Sequence, residues 1–214
     1  IVYSMSRIRL LLGFIFALLN SSALGLEYDF VTSGSVTKLM NKVYTVRLHS
    51  HDVKYGSGSG QQSVTGMNSQ NDANSYWQVR SPTDEHITRG TPIKCGQSIR
   101  LTHINTNTNL HSHHFKAPLS KEQEVSAFGT DGEGDHLDNW VVVCSGKYWK
   151  RNNFVRFQHK ETKAYLTCSD QVFGRPIHGQ QEVMATLRDD TGSANYWKSM
   201  EGVFLKPTET PNKN

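Results

Sequence analysis

The chain has 214 residues, of which 36% are hydrophobic and 20% are charged, a composition typical of a compact globular protein. A chain of this length buries roughly 70% of its unfolded surface in one core, so no second domain is required. The net charge of +4 falls to +2 without Arg7 and Arg9, which lie in a segment predicted to be removed. This balance, without a basic stripe interleaved with aromatic residues, gives no reason to expect a nucleic-acid partner.

The first predicted element is a signal peptide at residues 1–25. Arg7 and Arg9 supply positive charge, residues 10–19 form an apolar run, and residues 23–25 include the small side chains that signal peptidase recognises. Since a membrane span needs about 20 apolar residues, this run favours a cleaved signal over the alternative, an uncleaved anchor. We therefore expect no stable membrane insertion.

The sequence also predicts where the signal peptide starts and where it is cleaved. Residues 1–4 precede Met5, which we interpret as the true start. The mature protein is predicted to begin between Leu24 and Leu26, after the small residues.

After this segment, one pattern occurs three times, with the copies 56 to 63 residues apart. Each copy starts in an apolar strand, has a leucine nine residues later that opens a short polar corner, continues through Gln-x-Val and closes on tryptophan. The anchors are Leu39, Leu48, Gln62 and Trp77 in the first copy, Leu101, Leu110, Gln123 and Trp140 in the second, and Phe157, Leu166, Gln181 and Trp197 in the third.

Three such copies predict an all-β fold, a β-trefoil with pseudo-threefold symmetry. The repeat is longer than the periods of open solenoids, and apolar and polar residues alternate in the predicted strands, as in 44–49 and 99–103. We expect the trefoil to span residues 26–206, followed by a flexible tail at 207–214. Its repeats are predicted at about 34–80, 96–144 and 150–204, with the three closing tryptophans in the core.

The corner, the Gln-x-Val strand and the closing tryptophan resemble the MIR motif of protein O-mannosyltransferases and of inositol trisphosphate and ryanodine receptors. Longer strings, between about Gly34 and Pro207, resemble the stromal cell-derived factor 2 family. These strings are Arg47–Val53, Tyr55–Gly66, Arg89–Gly96, Asn109–Phe115, Gln123–Gly129 and Met200–Gly202.

The resemblance implies a non-catalytic protein of the endoplasmic reticulum lumen. Such a protein would assist a J-domain co-chaperone and the Hsp70-type chaperone BiP in keeping misfolded secretory proteins soluble, without a cofactor. Family members often end in a retention-like tetrapeptide, whereas residues 210–214 read Thr-Pro-Asn-Lys-Asn, so partial secretion is also expected.

Two alternatives belong to other functional classes. One is a secreted carbohydrate-binding trefoil, in which the aromatic residues Tyr76, Trp77, Trp140, Tyr196 and Trp197 would form a stacking platform. The other is an accessory protein related to protein O-mannosyltransferases, which share the MIR motif. The sequence contains no Gly-x-Ser-x-Gly or phosphate-binding glycine loop, and we expect no enzymatic activity.

The three cysteines are predicted to form one disulfide and one free thiol. Cys95 stands just before the first strand of the second copy and Cys144 just after its last, and a trefoil brings the ends of a repeat together. Cys168 lies in the third polar corner and is expected to be unpaired. The family carries a further cysteine pair where this chain has Ser33 and approximately Ile87, which implies that a second bridge is missing as a unit.

Histidine pairs mark the first two corners. The corner residues are His49, Ser50 and His51 in the first copy and His111, Ser112 and His113 in the second. His-x-His is a metal-pair spacing, with His103, His136 and His159 as nominal third ligands, but the third copy lacks both histidines. We favour hydrogen-bonding residues that shape the corners. The acidic run 131–135 lacks the later positions of a calcium loop and is interpreted as a solvated loop.

A glycine-rich loop in the first copy is the candidate partner-binding site. It comprises Tyr55, Gly56, Ser57, Gly58, Ser59 and Gly60. A closed barrel has no free strand edge to offer a partner, so recognition is expected to fall on loop side chains. The alternative, that the glycines only permit a tight hairpin, also stands at this point.

Overall fold

A computed structural model of the protein describes residues 29–189 and 194–208. The predicted signal peptide and the last residues of the predicted tail lie outside the described part of the chain. In that part, no helix is long and apolar enough to cross a membrane.

The described residues form twelve β-strands, four in each repeat, and two short 3-10 turns. The strands of repeat one are β1 (Val36–Asn41), β2 (Arg47–Lys54), β3 (Gln62–Met67) and β4 (Trp77–Arg80). Those of repeat two are β5 (Ser98–His103), β6 (Asn109–Lys116), β7 (Gln123–Phe128) and β8 (Trp140–Val143). Those of repeat three are β9 (Phe154–His159), β10 (Tyr165–Val172), β11 (Gln181–Thr186) and β12 (Trp197–Val203). The 3-10 turns are Ala73–Ser75 and His136–Asp138.

The first and last strands of the repeats form a closed barrel. β1 pairs with β4, β4 with β5, β5 with β8, β8 with β9, β9 with β12, and β12 returns to β1, all antiparallel. The ring has no unpaired edge, so its backbone donors and acceptors are used within the sheet.

The middle strands form three hairpins that cover one end of this barrel, and we call them the hairpin cap. β2–β3, β6–β7 and β10–β11 are the hairpins, and β3, β7 and β11 pair with one another in a triangle. A six-stranded barrel capped by three hairpins is a β-trefoil, so the predicted fold is confirmed.

The repeated apolar anchors meet inside the barrel. Trp77, Trp140 and Trp197 are each 0% exposed. Their indole Nε1 atoms donate to the carbonyls of the leucines that open the corners, at 2.8–2.9 Å. The tryptophans therefore close each repeat onto its own second strand, and the prediction that they lie in the core is confirmed. They offer no surface to the alternative stacking platform, whose other two members, Tyr76 and Tyr196, are half-buried.

A basic residue on the first strand of each repeat clamps the loop that follows the third strand. Lys38, Arg100 and Arg156 occupy equivalent positions, three residues before the ends of β1, β5 and β9. Their partners are the Gln70 carbonyl for Lys38, the Gly132 carbonyl for Arg100 and the Asp189 carboxylate for Arg156. These contacts fix the loops that support the polar corners.

Candidate functional site

The first corner is a hydrogen-bond chain that runs from the buried His49 to the half-buried Asp72 and His51. His49 Nδ1 lies 2.7 Å from Asp72 Oδ2, and His49 Nε2 lies 2.6 Å from His51 Nδ1. Ser75 Oγ donates to the same Asp72 oxygen at 2.5 Å. Burial alone would raise the pKa of Asp72, but the hydrogen bonds from Ser75 and His49 outweigh it and the pKa is lowered. Asp72 therefore holds His49 in place as an anionic acceptor.

The second corner repeats this arrangement with more acidic groups. His111 Nδ1 lies 2.9 Å from Asp138 Oδ1 and 3.7 Å from Asp135 Oδ1. His113 turns the other way, and its Nε2 lies 3.0 Å from Glu124 Oε1. The two corners thus use one imidazole each to join the second strand to the loop before the closing tryptophan.

The corner serines join the two strands of each hairpin. Gln62 Nε2 donates to Ser50 Oγ, and Gln123 Nε2 donates to Ser112 Oγ, both at 2.7 Å. Each serine hydroxyl in turn donates to a backbone carbonyl of the neighbouring strand, at 2.7–2.8 Å. The predicted hydrogen-bonding role agrees with these contacts.

The third corner carries Thr167, Cys168 and Ser169 in place of the histidines and the serine. Cys168 is a free, buried thiol whose Sγ lies 3.9 Å from Gln181 Oε1. Burial raises the pKa of this thiol to about 12. The thiol is therefore protonated and poorly nucleophilic at neutral pH.

One group in the described residues could hold a metal ion: His111, Asp135 and Asp138, whose ligand atoms lie within 4.8 Å of one another. However, both Asp138 oxygens already accept hydrogen bonds, from His111, Asn109 and the Asp135 amide. Asp135 also accepts from the Leu137 amide. These contacts assign the group to a capped turn.

Two of the nominal third metal ligands serve as turn anchors. His103 bonds Thr106 Oγ1 and the Asn74 carbonyl, and His159 bonds Thr162 Oγ1 and the Leu137 carbonyl, all at 2.8–2.9 Å. Both are 0% exposed. Since both ring nitrogens of each are used in this way, neither can complete a ligand set with the corner pairs.

The predicted partner-binding loop, Tyr55–Gly60, is anchored more firmly than its composition suggests. Tyr55 is 5% exposed, and the carbonyl oxygens of Val64 and Val125, at 2.8 and 3.0 Å, share the one proton of its hydroxyl. Tyr55 is therefore part of the cap core and not a contact residue, a correction to the prediction. Its ring packs near Phe173, 6.0 Å between centroids.

The rest of that loop lies against Glu124 of repeat two. The Ser59 amide and hydroxyl both donate to the Glu124 carboxylate. A Cβ on Gly58, which has φ +70°, would stand 1.9 Å from a Glu124 oxygen. Close approach to a buried carboxylate thus explains this glycine. The side chain of Ser57 remains exposed.

Glu124, Ser59 and His113 form a Ser–Glu–His cluster, but it is not a catalytic triad. The serine hydroxyl donates to the carboxylate, which lies between serine and imidazole. A triad needs the imidazole next to the hydroxyl as its base. This arrangement holds the loop and does not activate Ser59.

Glu182 has the same role one repeat later. Its two oxygens accept from the amides of Leu119 and Ser120, at 2.7 and 2.8 Å, in the loop of the β6–β7 hairpin. Glu124 and Glu182 are both 0% exposed. Neither glutamate was predicted to have a role. A charged residue at the middle of Gln-x-Val, in a strand expected to be buried, indicates a structural role of this kind.

The disulfide prediction is confirmed. Cys95 and Cys144 are bonded, with their Cα atoms 5.2 Å apart, at the end of the barrel where repeat two begins and ends. Ser33 and Ile87, the positions of the family's other cysteine pair, are also neighbours: Ser33 Oγ donates to the Ile87 carbonyl at 3.4 Å.

Comparisons with known proteins place this structure in a family. Residues 39–143 match the MIR domain model. Human stromal cell-derived factor 2 is 56% identical over 200 residues, which cover 94% of this chain and 92% of that protein. The SDF2-like protein from Arabidopsis thaliana is 44% identical, with a TM-score of 0.81 over 84% of this chain and 99% of that one.

A more distant likeness is to a larger assembly. The S. cerevisiae protein O-mannosyltransferase Pmt1-Pmt2 complex bound to the sugar donor matches with 25% identity and a TM-score of 0.69, over 85% of this chain but 28% of that chain. The likeness is therefore confined to a little over a quarter of the transferase chain. On its identity to human stromal cell-derived factor 2 along nearly its full length, this chain belongs to the stromal cell-derived factor 2 family.

Proposed function

We propose that this protein is a non-catalytic component of chaperone complexes in the endoplasmic reticulum lumen. It assists a J-domain co-chaperone and BiP in keeping misfolded secretory proteins soluble, and so serves protein quality control. The proposal includes secretion of a smaller part of the protein.

The observation that carries this proposal is the family membership, at 56% identity across 94% of the chain. The disulfide supports the compartment, because such bonds persist in the oxidising secretory pathway and are rare in the cytosol. The non-catalytic role is supported by the polar corners, whose buried histidines and carboxylates are occupied by hydrogen bonds to each other.

An aggregation assay tests the activity. An unfolded secretory client is mixed with the J-domain protein, BiP with ATP, and this protein in all combinations, and light scattering is followed. We expect the J-domain protein and this protein together to suppress aggregation more than either alone. Protection that never exceeds that of the J-domain protein alone would contradict the proposal.

The assay can also test the exposed part of the Tyr55–Gly60 loop. Ser57→Glu places a charge on an exposed loop residue that makes no core contact, whereas Ser145→Glu does the same on an exposed residue beside the disulfide. If this loop docks the co-chaperone, only Ser57→Glu weakens the joint protection. Equal effects of the two variants would remove the loop from the interface.

A separate experiment tests the compartment. The full chain with an internal tag is expressed in cells, and microsomes are treated with protease before and after detergent. We expect a signal-cleaved form that is protected until detergent is added, with a smaller amount in the medium. An unprocessed, cytosolic form would contradict the localisation.

A further inference from the structure

A groove lies between the hairpin β6–β7 and repeat three. Phe115 and Leu187 line it and are 53% and 73% exposed, whereas Ala164 and Ala185, which also line it, are buried. We call it the Phe115–Leu187 groove. Two large apolar side chains are thus exposed to solvent, and the two small alanine side chains beside them leave the groove open.

The pseudo-threefold symmetry supplies two internal comparisons. Phe115 stands just before the last residue of β6, and Leu187 just after β11. The equivalent pair is Val53 and Gly129 at the groove between repeats one and two, and Gln171 and Asn68 between repeats three and one. Val53 is half-buried and packs against the cap core, while Gln171 and Asn68 are polar. Among the described residues, only this groove has two exposed large apolar side chains.

The fold does not require Phe115 or Leu187 to be apolar. The other two repeats form the same hairpins and the same β3–β7–β11 triangle without them. Exposed apolar surface of this kind, rimmed by polar groups, marks sites of protein interaction.

Positive charge exceeds negative charge around the groove. Lys116 and Lys121 line it and are exposed, and within the described residues Lys116 has no ion pair. Glu122 also lines the groove, but it pairs with Arg188 at 2.9 Å. The rim thus leaves positive charge uncompensated, and its complement is an acidic group.

We propose that the Phe115–Leu187 groove binds an extended polypeptide segment that carries a large apolar side chain flanked by acidic residues. The apolar side chain would lie between Phe115 and Leu187 over the two alanines, and its acidic neighbours would face Lys116 and Lys121. The inference rests on the proposed function for the source of the segment, an unfolded secretory client.

The test uses the folded protein alone, without co-chaperone. The probe is a fluorescein-labelled peptide of sequence EELFLEE, with KKLFLKK and EESSSEE as comparison peptides, and binding is followed by fluorescence anisotropy. We expect EELFLEE to bind more tightly than either comparison peptide, and its binding to weaken as salt is added.

Two double variants separate the groove from general surface hydrophobicity. Phe115→Ser with Leu187→Ser should weaken binding of EELFLEE about tenfold or more, because two apolar contacts are lost. The matched control is Val172→Ser with Val203→Ser, which removes two apolar side chains of similar exposure, 52% and 68%, elsewhere. The control should bind like the parent. Unchanged binding in the groove variant, or an equal loss in the control, would overturn the proposal.

A charge reversal tests the polarity of the site. Lys116→Glu should weaken EELFLEE and strengthen KKLFLKK, since it changes the sign of an unpaired rim charge. If both peptides respond in the same direction, the acidic preference is wrong. These measurements contain no J-domain protein or BiP, so failure of the chaperone proposal in the aggregation assay can be told apart from failure of the groove.

Discussion

Gly58 lies where the loop of the first hairpin passes over the Glu124 carboxylate. Gly58→Ala should lower the free energy of unfolding by about 1–3 kcal/mol, because it combines φ +70° with a Cβ that meets a fixed oxygen. Gly56→Ala is the matched control, since a Cβ there meets nothing within 4 Å and its φ is not positive. Urea unfolding of both variants measures the difference. Equal stability of the two would show that the loop is held by something other than Glu124.

His103 should make stability depend on pH. Burial lowers its pKa to about 4, and the nearby His49 and His51 act in the same direction. Since the unfolded chain keeps the ordinary value of 6.5, the unfolded state binds more protons between pH 6.5 and 4, and the free energy of unfolding falls as pH falls. Protonation linked to this group lowers the free energy of unfolding by at most about 3 kcal/mol at pH 4.

The first repeat suggests the substitution that tests this pH dependence. Asn41 occupies the equivalent place in repeat one and bonds the Ala194 carbonyl at 2.6 Å. His103→Asn should therefore fold and show a shallower decline in urea stability from pH 7 to pH 4.5. Part of the decline remains, because burial also lowers the pKa values of His51 and His159. An unchanged slope would mean that His103 does not stay neutral in the folded state.

Two buried glutamates, Glu124 and Glu182, each hold a hairpin loop of the preceding repeat. Glu182→Gln puts an amide N–H₂ where one carboxylate oxygen accepted a backbone N–H, which costs about 1–3 kcal/mol if no acceptor replaces it. We expect faster hydrogen exchange at the Leu119 and Ser120 amides, since their acceptors belong to Glu182.

The matched variant is Glu124→Gln, which should instead speed exchange at the Ser59 amide. The two variants should therefore speed hydrogen exchange at different amides in the same NMR experiment. Uniformly faster exchange in both would mean that each merely lowers global stability, and the local role of the carboxylates would be wrong.

The disulfide closes repeat two upon itself. Cys95 and Cys144 are 49 positions apart, so removing the bond is expected to cost about 4 kcal/mol in the chain-entropy model. The double variant Cys95→Ser with Cys144→Ser should melt roughly 10 °C lower and still fold, because barrel and cap do not depend on the bond.

Peptide mapping without reductant measures the pairing directly. It should recover Cys95 joined to Cys144, and Cys168 should react with iodoacetamide only after unfolding, because it is buried with a raised pKa. A peptide that links Cys168 to another cysteine would contradict the structure. Melting of the double variant by circular dichroism completes the test.

The trefoil, the place of the tryptophans and the disulfide could all be predicted from the repeat pattern. The spacing of leucine, Gln-x-Val and tryptophan is local to each copy, and three equal copies leave few ways to bury their apolar faces together. The histidine corners were predictable as structural residues for the same reason, since the third copy closes without them.

Burial and exposure of the side chains at the cap could not be predicted from the sequence. Tyr55 looked like a loop residue, but its hydroxyl meets the Val125 carbonyl of the next repeat. Glu124 reaches back to Ser59, 65 positions away, and Phe115 meets Leu187 at one groove only after β7 and β11 have paired. Such contacts join residues of different repeats, and no periodicity within a repeat encodes them, because they arise from convergence of the three hairpins on one axis.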